Sequence, residues 1–181
     1  MKKFLAGAVF GVLLLFAAVY FYFSTGMAPV ATAAVPMPFE KTFARMALHA
    51  RLEKEMPKTV PVAADETALA AGAQIYRDHC AVCHGLPGQP QTAIASGMFP
   101  KPPKLMEGTG VTDDPPGETY WKVAGGIRMT GMPGFSKTLS DTQMWQVSLL
   151  CANADKLSGF VKQTLAGMPP AVAPPTENKT K

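Results

Sequence analysis

Cys80-Ala81-Val82-Cys83-His84 decides the reading of this chain. It is a C-x-x-C-H run, the spacing of covalent c-type haem attachment. On a helix, positions 80, 83 and 84 share one face, so two thiols and an imidazole address one object. Cys80 and Cys83 can then form thioethers to the two haem vinyl groups while His84 reaches the iron. Two other chemistries use C-x-x-C pairs, a redox dithiol and half of a zinc site. A zinc site needs two more ligands. The chain has three cysteines and three histidines in all, and Cys151 has no C-x-x-C or histidine partner near it. One copy of the run implies one haem c.

The 181 residues carry a formal charge of +4, but the excess is local. Residues 58–167 hold nine basic and nine acidic side chains, residues 1–57 six and three, and residues 168–181 two and one. A neutral domain lacks the clustered basic patch by which nucleic acid is bound, so that partner class is excluded. Phe4 to Phe23 is a run of 20 uncharged positions preceded by Lys2 and Lys3. At about 1.5 Å per residue, a helix of that length covers the ~30 Å hydrocarbon core of a bilayer. The lysines hold the N-terminus in the cytoplasm, and Tyr20 and Tyr22 fall at the outer interface. A cleaved signal peptide is the rival reading, but its apolar region normally runs about 7–15 residues. The small-residue site Ala31-Thr32-Ala33 also lies well past the apolar stretch. The expectation is a retained anchor or signal-anchor over residues 1–24, single-pass in a bacterial cytoplasmic membrane, with the C-terminal domain in the periplasm. Gly7 and Gly11 form a G-x-x-x-G pair, a spacing that arises by chance in a segment this rich in Gly and Ala.

Residues 25–64 read as a linker that contains a short amphipathic helix at about 39–56. In that helix Phe39, Phe43, Met46 and Ala50 recur at helical spacing between charges, and Pro57 ends it. Such a helix docks on the following domain or lies at the membrane surface, or it contacts another membrane subunit. His49 within it is read as solvated. Asp65 is a good N-cap for a helix running through Cys80, with Leu69, Ala73, Tyr76 and Cys80 on its packed face and Gly85 as its stop. His79 is turned about 100° from Cys80 on that helix and reads as structural or solvent-facing.

Residues 86–117 are rich in Pro and Gly, a long irregular loop that a rigid apolar macrocycle can support. Met98, Phe99, Leu105 and Met106 can pack against that macrocycle or the first helix. A short helix over Glu118–Gly125 carries Tyr120 and Trp121, read as core packed on the haem. Ser140-Asp141-Thr142-Gln143 is a capping box opening a helix with Met144, Val147, Ser148 and Cys151 on one stripe. Cys151 behaves there as a small buried hydrophobe. Ser158 caps a last helix from Gly159 to Leu165 that Gly167 closes. Residues 168–181 read as a disordered tail, so the domain spans 65–167. No stretch reads as a strand, and the fold class is all-α.

Between the last two regions lies Gly125-Gly126-Ile127-Arg128-Met129-Thr130-Gly131-Met132-Pro133-Gly134-Phe135. With the C-x-x-C-H run, this Gly-Met-Pro loop resembles the class I c-type cytochromes, specifically the small membrane-anchored monohaem ones of bacteria. The resemblance covers about Thr67 to Leu165. It implies the class I cytochrome c fold, a helical domain wrapped around one covalent haem c. It also implies His84 as the proximal iron ligand and Met132 as the distal one. Locally, Pro133 and the flanking glycines make a stiff turn able to hold a thioether sulfur toward the iron. Met129 is the alternative ligand, and it lacks the following proline. The ordinary role for any one of 11 methionines is core filler. Arg128 pairs with a haem propionate or is simply solvated.

With both axial positions filled, the expected function is one-electron transfer between redox protein partners, a donor and an acceptor, with no catalytic residue. Two alternatives belong to other classes. One is a haem-bearing subunit of a membrane dehydrogenase or oxidase complex. The other is a five-coordinate haem sensor or peroxidase-like protein in which Met132 does not bind.

Overall fold

In a computed structural model the described residues are 1–107, 112 and 114–167, and every regular element among them is helical. The residues expected to form a tail, 168–181, lie outside them. The chain divides into two compact units, Met1–Met46 and Ala47–Lys181.

The first unit opens with α1, Lys2–Ser24, which is long and apolar enough to cross a membrane and buries none of its residues. Thr25 ends it, donating its hydroxyl to the Phe21 carbonyl at 2.7 Å. Helix α2, Glu40–Glu55, begins in this unit and ends in the next. It takes in Phe43, Met46 and Ala50, whereas Phe39, expected as its first periodic residue, stands just before it at φ 63°. Phe43 and Met46 are exposed, and His49 is exposed as expected.

The second unit is a helical domain. Helix α3, Glu66–Ile75, starts at Asp65, whose carboxylate accepts from the Ala68 amide at 2.8 Å. The expected single helix through Cys80 is broken in its regularity. After Ile75 the chain makes a wider π turn over Tyr76–Cys80, with the Ala81 amide reaching back to the Tyr76 carbonyl, and then α4, Ala81–His84. Gly85, at φ 76°, stops it.

Two helices follow in the Pro-rich loop and beyond it: α5, Ala93–Gly97, and α6, Pro116–Gly125. The last two are α7, Asp141–Ala152, and α8, Gly159–Ala166. The capping box at Ser140 and Gln143 and the Ser158 cap form as the sequence predicts, and Gly167 closes α8 at φ 79°.

Helix α7 is the hub: α3 and α6 pack on it, and α3 also packs on α8. It buries Met144, Trp145, Val147, Ser148, Leu149, Leu150 and Cys151, so nearly its whole circumference is core. The one polar member, Ser148, is satisfied by donating to the Met144 carbonyl at 2.7 Å. The α3–α7 approach is set by Gly72. A Cβ there would collide with the Gln146 backbone carbonyl and crowd Leu150.

Candidate haem site

The attachment turn is fixed from several sides. Tyr76, fully buried, donates its hydroxyl to the Gly85 carbonyl at 2.8 Å, tying the end of α4 to the π turn. Thr92 donates to the Val82 carbonyl at 2.6 Å and also caps α5, accepting from the Ala95 amide at 3.1 Å. His84 and the Pro103 carbonyl lie 2.8 Å apart through Nδ1. A carbonyl only accepts, so the proton sits on Nδ1 and Nε2 is bare. Burial pushes the His84 pKa below its ordinary 6.5, outweighing the upward pull of that carbonyl, and the ring is neutral at pH 7. Cys80 and Cys83 are free thiols. Burial, and then the neighbouring Cys83, push the Cys80 thiol up to about 12.

The loop after α6 is equally constrained. Gly126 adopts φ 67°, and a Cβ on it would meet the backbone of Met132, Pro133 and Gly134. The loop then folds back, with Phe135 donating to Val123 at 2.9 Å and Ile127 to the Met132 carbonyl at 3.2 Å. The Met132 amide in turn donates to the Thr130 hydroxyl at 3.1 Å.

One cavity receives both constructions. Cys80, Cys83, His84 and Met132 all line it, together with Tyr76, Val123, Val147 and Cys151 from the core. Met132 packs against that core, whereas Met129 is 93% exposed and lies outside the lining. From the Pro-rich loop, Met98 and Leu105 line the cavity, while Met106 packs on the core.

One expectation changes. Tyr120 and Trp121 do not line the cavity: Tyr120 stacks on Trp145 at 4.2 Å and donates to Asp141, and Trp121 donates to Glu55. Arg128 is exposed and outside the lining, where Lys101 and Lys122 instead supply positive charge. Lys122 is held by Asp114 at 3.3 Å and Glu118 at 2.6 Å. His79 is exposed, but it reaches the cavity rim and meets Phe135 edge-on at 5.9 Å. A wider turn advances less per residue than an α-helix, which brings His79 round toward the face of Cys80.

The donor set fits a haem c: two thiols and a neutral imidazole on one turn, a thioether on a fixed loop, and an apolar lining. Residues 67–149 match a family model described as cytochrome c oxidase, cbb3-type, subunit III. Among solved structures, a chain of the Kuenenia stuttgartiensis reducing HAO-like protein complex is 26% identical with a TM-score of 0.46, covering 57% of this chain and 53% of that one. This chain thus spans about half the length of that relative. A search of curated proteins gave no match. The matched segment, with its C-x-x-C-H turn and its all-helical build, indicates a class I c-type cytochrome domain over residues 67–149.

Proposed function

We propose that the chain transfers one electron at a time on a single haem c held outside the cytoplasmic membrane. Cys80 and Cys83 are its thioether donors, His84 the proximal ligand and Met132 the distal one. The observation that carries this reading is the convergence of those four side chains on one largely apolar cavity. The bound haem supplies an iron that alternates between Fe(III) and Fe(II). The Pro103 carbonyl fixes the His84 tautomer and ring orientation, leaving Nε2 for the metal. Met132 offers an uncharged, soft sulfur that favours the reduced state. With His84 and Met132 both holding the iron, the haem would have no position left for a substrate, and the partners would be redox proteins, a donor and an acceptor. Helix α1 keeps the domain beside its membrane and raises the effective concentration of membrane partners.

Quantifying haem per chain and titrating its potential tests this reading. One thioether-linked haem, a single one-electron wave and no uptake of carbon monoxide by the reduced protein are expected. Stoichiometric carbon monoxide binding would instead indicate an open iron, as in a sensor or peroxidase-like protein.

A second reading has its own support, the match to an oxidase subunit over residues 67–149. In it the chain is a fixed haem subunit of a larger membrane complex, and the exposed Phe39, Phe43 and Met46 contact a neighbouring subunit. Purification from native membranes separates the two readings. A free carrier comes away alone, and a subunit brings its partners in constant ratio.

A further inference from the structure

The cavity has one wall that precedes the matched segment in the chain. Leu48 lines it alongside Cys80, His84 and Met132, although the family match begins only at residue 67. The second half of α2 and the two residues after it are fastened to the domain at three points. Leu52, four residues on and so on the same helix face as Leu48, is 2% exposed. The Glu55 carboxylate accepts from the Trp121 indole N–H at 3.2 Å. The Pro57 carbonyl lies so close over Gly117 that a Cβ there would collide with it. Gly117 and Trp121 belong to α6, whose Thr119, Lys122 and Val123 line the same cavity.

We propose that residues 47–57 form a strap on the haem cavity, in which Leu48 is a positioning residue that keeps water from the haem and thereby raises its potential. This rests on the reading that the cavity holds the haem. The oxidised centre carries one more positive charge than the reduced one, and an apolar wall disfavours that charge. Shortening or polarising the side chain at 48 admits water, stabilises the oxidised form and lowers the potential.

The test is a spectroelectrochemical titration of the full-length holoprotein and three variants: Leu48→Ala, Leu48→Asn, and Thr42→Ala as a control at an exposed position of the same helix. The midpoint is expected to fall in Leu48→Ala, to fall further in Leu48→Asn, and to stay unchanged in Thr42→Ala. A Leu48→Asn holoprotein with the parent midpoint overturns the strap. If that variant yields no holoprotein, an unmoved midpoint in Leu48→Ala overturns it equally. The haem content of the parent protein is read first, so failure of the haem reading is distinguishable from failure of this one.

Discussion

Met129 and Met132 stand three residues apart, and the fold treats them oppositely. Met129 takes the left-handed conformation, φ 61°, that a long side chain seldom adopts, and it projects 93% exposed from the loop tip. Met132 is turned inward, its amide and carbonyl both hydrogen-bonded. Met129→Ala is therefore expected to leave spectrum and potential unaltered, which redox titration checks. His84 gives a pH prediction for the haem-free chain. Its folded pKa lies below the unfolded 6.5, so the stability it contributes is present above that pH and is lost as pH falls below it. Denaturation of the haem-free protein between about pH 7.5 and 5.5 is expected to show a steeper loss of stability in the parent than in His84→Gln. That Cys80, Cys83 and His84 line one cavity was legible because the three sit within five consecutive positions. The cavity lysines were not, because which cation faces the cavity depends on how α6 packs. Arg128, adjacent to the Met-Pro loop in sequence, faces solvent instead, and Lys122 takes the cavity side.

At the scale of elements, the α3–α7 crossing carries the domain. Gly72→Ala drives a methyl into the Gln146 backbone, an overpacking with no flexible side chain to yield. It is expected to destabilise the domain by about 1–3 kcal/mol, lowering its thermal midpoint by ~4 °C or more. Helices α3, α7 and α8 were readable from spacing and caps, since Asp65, Ser140 and Ser158 each accept the expected amide. The π turn at Tyr76–Cys80 was not, because widening a turn by one residue leaves no mark in composition. Helix α5 escaped for a different reason: five residues are too few to show a period. Its only local signal was Thr92 as a cap. Trp121 illustrates the limit of reading aromatic residues as haem packing, since its partner, Glu55, lies 66 residues earlier.

At the scale of the molecule, the boundary after Met46 separates an anchor from a domain that holds every residue lining the haem cavity. Removing residues 2–24, with export supplied by a cleavable signal, is expected to release a soluble protein whose spectrum and potential match those of the anchored one. Detergent-free fractionation and redox titration check both halves of that expectation. What the whole molecule does still rests on the sixth ligand, because a filled iron transfers electrons and an open one binds ligands. The most direct test is the absorption spectrum of the oxidised holoprotein beside that of Met132→Ala. The weak methionine-to-ferric-iron band is expected in the parent and lost in the variant, with the thioether-linked haem retained in both. A parent spectrum without that band, or a variant that keeps it, would contradict His84/Met132 ligation.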